Sequence, residues 1–285
     1  MADDTPSVRS STALQGSSPR GGRWRKYRRG FEILGATITI FVVLAVVLAV
    51  YYPSSRPTGE GPGPTTHLPY AAQRVQTADG WTLMARSYPS DPHASAAVVL
   101  VHDGSGTLEG WHRTAVRLQQ AGYPTLAVGV RGDGLATAPD GSAPSWGAPT
   151  LQQVEQWEQD LVAAIALSSG TNRTVAIVAS ADAGIAALAV TGSSRPSEGS
   201  VVILLSPPES VGGRSLPALV EGNNGTIVAF GANGSPEQVQ ALSRIDRAAV
   251  NPHHVELVDG DSQGQGLLAE GALDEALLQW LPPLR

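Results

Sequence analysis

From Tyr70 onward, short runs of aliphatic and β-branched residues alternate with stretches of helical spacing, and that alternation leaves few architectures open. The runs are Ala97 to His102, Pro124 to Val130, Val175 to Val178, Val201 to Leu205, Thr226 to Phe230 and Val255 to Val258. Most are apolar at successive positions, as strands covered on both faces of a parallel sheet must be. Between them, Leu108 to Ala121, a stretch capped by Thr150, Gly184 to Val190, Ser235 to Val250 and Leu267 to about Leu281 read as helices. Right-handed crossovers wind such helices onto both faces of one sheet. Arg74 to Thr77 and Trp81 to Tyr88, closed at Asp79-Gly80, predict a hairpin at one edge. The expectation for residues 70–285 is a mostly parallel, doubly wound α/β sheet with an antiparallel N-terminal edge.

The N-terminal part obeys different physics. Ile33 to Tyr52 carries no charge over about 20 residues, the length that crosses a bilayer's hydrocarbon core. Residues 31–52 are therefore expected to form one transmembrane helix. Arg20, Arg23, Arg25, Lys26, Arg28 and Arg29 precede it and only Arg56 follows closely, which places the N-terminus in the cytoplasm and the large domain outside. A cleaved signal peptide is the rival reading. Against it, the apolar run is longer than a usual signal core, and Tyr51-Tyr52-Pro53 offers no small-x-small cleavage site. Residues 1–30 read as a disordered basic cytoplasmic tail, and 53–69 as a Pro/Gly-rich linker. The resulting expectation is a single-pass cell-membrane protein.

Charge and cysteine content exclude several classes. From Tyr70 there are 21 acidic residues against 11 Arg and no Lys, so the domain lacks the basic face that nucleic acid requires. The chain contains no cysteine, which rules out a disulfide scaffold and thiolate metal sites. His253 and His254 are adjacent, so on an extended segment they point to opposite faces and make no joint metal site. No metal or cofactor is expected.

The segment Arg173 to Leu188 reads as a buried strand, a sharp turn and a small-residue helix. Further markers are Val99-Leu-Val-His102-Asp-Gly-Ser-Gly106, Ala121-Gly-Tyr123, Arg131-Gly-Asp-Gly134, Leu204-Leu-Ser-Pro207 and Gly260-Asp-Ser-Gln-Gly264. In this order the chain resembles the α/β-hydrolase superfamily, among its members the dienelactone-hydrolase-like and serine-aminopeptidase-like ones. The resemblance spans nearly all of Tyr70 to Arg285 and implies an α/β-hydrolase fold with a Ser-His-acid triad. With Val175 to Val178 as the strand and Gly184 as the last glycine of the elbow, the nucleophile position falls on Ala181, whose methyl cannot attack. The acid position falls on Asn233 or Gly234, depending on a one-residue choice of register. The histidine position falls on Gln263, which hydrogen-bonds but does not exchange a proton near neutral pH. A degenerate triad on a retained scaffold implies a membrane-anchored pseudo-hydrolase, a binding or scaffolding domain whose small-molecule or protein partner is unknown.

Two residues offer a catalytic alternative. Ser180 is a nucleophile if the elbow slips by one residue. Ser180-x-Asp182-x-Gly184 imitates the Asp-nucleophile elbow of haloalkane dehalogenases and epoxide hydrolases, at the cost of one extra residue in the strand. Either would make the protein an active hydrolase of ester, amide or lipid-derived substrates. His102, Asp103, Gly104 and Gly106 match the oxyanion loop, His102 in a structural role. Asp103, Asp182, Asp259 and Asp261 read as solvated turn aspartates, with a cation-attracting cleft as the functional version. Trp111 and Trp157 fall on apolar helix faces and are expected in the core. A backbone relaxed out of positive φ at Ala181 would mark an elbow released from catalysis.

Overall fold

The computed structural model describes residues 69–170, 173–193, 200–269 and 272–284. The expected tail and membrane helix, and the linker up to residue 68, lie outside the described residues. Among the described residues no helix is long and apolar enough to cross a membrane.

Eight strands form one sheet: β1 (Ala71–Gln76), β2 (Thr82–Tyr88), β3 (Ala96–His102), β4 (Thr125–Gly129), β5 (Thr174–Ser180), β6 (Val201–Leu205), β9 (Thr226–Ala232) and β10 (His253–Val258). Their order is β1-β2-β4-β3-β5-β6-β9-β10. The β1–β2 hairpin and the β2–β4 pair are antiparallel, and every pairing from β4 to β10 is parallel. The antiparallel edge follows from the tight Asp79-Gly80 turn, in which Gly80 holds φ 89 and the Thr77 N–H donates to Trp81 O. A parallel partner needs a helix-length crossover, and the chain supplies one before each later strand.

Helices α1 (His112–Gln120), α2 (Leu151–Ser169), α3 (Ala183–Ser193), α4 (Leu216–Glu221), α5 (Pro236–Ala248) and α6 (Ala272–Trp280) surround the sheet. Thr150 starts α2 with a reciprocal capping box, its side chain accepting from Gln153 N and its N–H donating to Gln153 Oε1. The period of two along β3 divides the interior into two cores. Val99 and Val101 pack with Trp157 and Leu161 of α2, whereas Val98 and Leu100 pack with Trp111, Leu118 of α1 and Leu277 of α6. Each such fully buried side chain contributes about 1.5–3 kcal/mol. α3 is buried around its whole circumference from Ala183 to Thr191, which explains its small, apolar sequence.

Two features depart from the expected layout. The helix expected from Leu267 divides into a 3-10 helix, Gly264–Leu268, and α6. Between β6 and β9 the chain adds a two-residue hairpin, β7 (Ser210–Val211) and β8 (Arg214–Ser215), followed by α4. Its turn is Gly212-Gly213, both at positive φ, a hairpin signal in a segment too short to show any period.

Candidate functional site

β5 ends at Ser180 and α3 begins at Ala183, which leaves two residues to reverse the chain. Ala181 takes the apex at φ 48. It is held there by its N–H on Leu205 O at 2.9 Å and by its carbonyl, which accepts from Gly184 N at 3.1 Å. A side chain at Gly184 would stand 3.1 Å from Leu204 Cδ2, so the glycine permits the helix to start this close to β6. Ala181 therefore keeps the left-handed conformation instead of relaxing, which costs a residue with a Cβ about 1 kcal/mol. The apex is Ala181, and neither Ser180, which is buried at the strand end, nor Asp182 carries the positive φ.

The residue after the nucleophile normally contributes its backbone N–H to the oxyanion hole. Here that N–H, on Asp182, donates to Oδ2 of Asp103 at 2.9 Å. Asp103 is 4% exposed, and its Oδ1 accepts from Ser105 N at 2.8 Å and from Ser105 Oγ. Asp103 is thus not the solvated turn aspartate expected from the composition of its loop. Burial, and after it the charge of Asp103, push the half-buried Asp182 carboxyl up to about 6. Asp259 and Asp261 are exposed, as expected of turn residues.

His102 precedes Asp103 at the end of β3 and is 1% exposed. Its Nδ1 donates to Asp103 O at 2.7 Å, while Nε2 is buried without a partner among the described residues. Burial lowers its pKa, so the ring is neutral and shapes the loop. Gly104 is exposed; a Cβ at Gly106 would come within 2.7 Å of His102 Cβ, so the loop can fold back on the ring only with glycine there. Gln265 ties this loop to the opposite turn, accepting from Thr107 N at 3.0 Å and donating to Thr107 O at 2.9 Å.

The turn after β10 brings Gln263 to the cleft. Gly264, at φ 53, lies against the elbow, where a Cβ would touch those of Ser180 and Ala181 at 3.7 and 3.8 Å. Gln263 lines a cavity of about 410 Å³ together with Ser105, Ser180, Ala181 and Ser206. Asn233, after β9, is turned elsewhere: its Nδ2 donates to Asp259 Oδ1 at 2.7 Å and its Oδ1 accepts from Gly260 N at 3.3 Å. At Gly234 a Cβ would lie 2.4 Å from Gly260 O, so that position admits no side chain without movement. Ala181, Gln263 and the Asp103–Asp182 contact meet at one place, and Asn233 braces the turn behind them.

His253 pairs with Asp246 at 3.2 Å while His254 stacks on Trp280 with ring centroids 4.7 Å apart, and among the described residues no three potential ligands group around a metal position. Trp111 and Trp157 are buried, at 0% and 3% exposure. One buried network leaves no local mark in the sequence: Arg131, the first residue of the Arg131-Gly-Asp-Gly134 loop, is fully buried, with its guanidinium on Asp160 and Asp79 and 4.9 Å from the Trp81 ring centre. It fixes the Gly-rich loop after β4, since its own N–H also donates to Asp160 Oδ2 at 2.7 Å. Arg131 holds the Asp79 carboxyl down to about 2, whereas burial pushes that of Asp160 up to about 6.

No protein-family model matches the chain, and no curated protein matches its sequence. Solved structures do resemble it. The esterase domain of a Rhodothermus marinus protein gives a TM-score of 0.56 at 17% identity, spanning 74% of this chain and 97% of that one. A dienelactone hydrolase from Anabaena variabilis gives 0.56 at 15% identity over 75% and 97% of the two chains. An esterase from Rhodococcus gives 0.59 at 12% identity over 73% and 98%. Identities this low carry the architecture and not the chemistry. The domain has the α/β-hydrolase fold, and what it does must be argued from the cleft.

Proposed function

We propose that this chain is a non-catalytic member of the α/β-hydrolase fold class, a binding or scaffolding domain presented outside the cell membrane on the helix expected over 31–52. The observation that carries the reading is the carboxylate of Asp103 on the Asp182 N–H, directly beside an apex residue with no nucleophile. Acyl transfer needs that amide free to receive a developing oxyanion. Here it already donates to a negative oxygen, and an added negative charge would meet repulsion in place of stabilisation. Ala181 and Gln263 supply neither attack nor proton transfer.

Hydrolysis through Asp182 has less support, since the conformation that presents a nucleophile belongs to Ala181. A fluorophosphonate probe tests the reading on the purified full-length protein. No labelled serine is expected. Labelling at Ser180 or Ser206 that a competing ester suppresses would sink it, and trapping of Asp182 by an epoxide would establish the alternative.

A further inference from the structure

The cavity over Ala181 meets a second one, of about 290 Å³, at Ser206 and Gln263. Ser206 follows β6 with φ 51, and its N–H donates to Phe230 O at 2.7 Å. A non-glycine residue held in this conformation is strained, and such strain gathers at ligand sites. Its Oγ is buried without a hydrogen-bond partner among the described residues. So is Nε2 of Gln238, whose Oε1 accepts from Ala232 N at 2.6 Å. Each orphaned polar group destabilises the fold, and native proteins keep few of them. Two occur here in residues that line one continuous groove.

The rest of the lining sets the charge of an occupant. No Arg or Lys borders either cavity; the charged residues are Glu209 and Glu237. Glu209 is paired with Arg244. Beside Ala181, the Asp182 N–H already donates to the Asp103 carboxylate and is not offered to an anion. No aromatic ring borders the groove, so a stacking ligand has no platform. A donor in Gln238 and an acceptor in Ser206 match the two ends of a carboxamide.

Resting on the non-hydrolytic reading of the cleft, we propose that this groove binds a small amide-bearing ligand of positive charge, a short cationic peptide in class. Its carbonyl accepts from Gln238 Nε2, its N–H donates to Ser206 Oγ, and its cation faces Glu237. Both protein atoms are sealed from solvent in this structure, so binding includes a rotation of the Ser206 side chain and a displacement of the groove wall beside Gln238 that leaves its Oε1 on Ala232 N.

The test is calorimetric titration of the full-length protein with N-acetyl-lysine methylamide and with its N-acetyl-glutamate counterpart. Saturable binding of the lysine amide is expected, with the glutamate amide weaker by about ten-fold or more. Ser206→Ala should weaken binding by about 3- to 10-fold; Gln238→Glu, which keeps the acceptor for Ala232 N–H but removes the donor, should weaken by a similar factor the binding of the uncharged N-acetyl-alanine methylamide, on which its added charge exerts no pull. Ser206→Ala should leave the thermal midpoint equal or higher, because it deletes an unpaired hydroxyl, and this separates lost binding from lost folding. Equal binding of the two amides, no saturation, or undiminished binding by both variants would overturn the assignment. Cleavage of an ester or amide probe, followed by mass spectrometry, would overturn the non-hydrolytic reading instead, and the titration alone would still decide the ligand class.

Discussion

Asp103 and Asp182 come from loops 79 residues apart, yet the side chain of the first accepts the backbone N–H of the second at 2.9 Å. The contact occupies the donor on which acyl-transfer chemistry of this fold depends, and it makes restoration of activity a matter of four positions. Introducing Ala181→Ser, Gln263→His and Asn233→Asp fills the triad positions expected from the sequence, the last on a side chain that must turn from Asp259 toward residue 263, and leaves the oxyanion donor engaged. We expect this triple variant to hydrolyse p-nitrophenyl acetate hardly above background. Adding Asp103→Gly should raise its turnover by about 10²–10³, the usual worth of an oxyanion donor. Equal rates with and without the fourth change would mean that the contact has no bearing on catalysis.

The retained elbow at Ala181 makes a separate prediction about stability. A Cβ at φ 48 costs about 1–2 kcal/mol, and glycine removes that cost while losing about 0.5–1 kcal/mol of unfolded-chain entropy. Ala181→Gly should therefore stabilise the domain by up to about 1 kcal/mol, read as a higher urea midpoint at unchanged slope. A destabilised glycine variant would show that the apex is not strained.

The parts of this architecture visible in the sequence are those governed by short-range periods. Val98 to Val101 and Val201 to Leu205 announce buried strands because every position is apolar, and Thr150 with Gln153 announces a helix start. Ala181 was placeable because a β-branched strand and a small-residue helix bracket it within a few residues. Contacts across the chain left no such mark. Asp103-Gly-Ser has the composition of an ordinary turn, and only the fold brings the Asp182 amide to it. Ser206 sits in Leu-Ser-Pro, whose residue types do not encode φ 51. The same holds for Arg131, whose partners lie 52 and 29 residues away in sequence.

That arginine supports a prediction of its own. Its guanidinium is enclosed between Asp160, 1% exposed, and Asp79 at the solvent edge, and Trp157 Nε1 donates to its carbonyl at 2.9 Å. Arg131→Met strands the Asp160 carboxylate in the core and should cost about 3–5 kcal/mol of unfolding free energy. Replacing both members, Arg131→Met with Asp160→Asn, should recover most of the loss, because the carboxamide removes the buried charge while its oxygen still accepts the N–H of residue 131. Asp79→Asn should cost much less, since solvent screens that carboxylate. Urea unfolding of the three variants measures all of this, and a double variant no better than Arg131→Met would refute the ion-pair account.

Asp182 gives the cleft a signature in pH. Burial, and then the neighbouring Asp103, raise its carboxyl to about 6, above the ordinary 3.8. Because the folded-state value lies above the unfolded one, ionisation is harder in the folded protein. Below about pH 4 the group is protonated in both states and adds no penalty. Between about pH 4 and 6 the unfolded chain ionises first, stability falls, and the full penalty persists at higher pH. Asp182→Asn removes the titration, so the variant should match the native protein near pH 4 and exceed it in thermal midpoint above about pH 7. Asp103→Gly should move the same transition to lower pH by withdrawing the nearby charge, even though it also frees the Asp182 amide. Thermal midpoints collected from about pH 4 to 8 decide the matter: a constant difference between native and Asn proteins would place the carboxyl in solvent, outside the influence of Asp103.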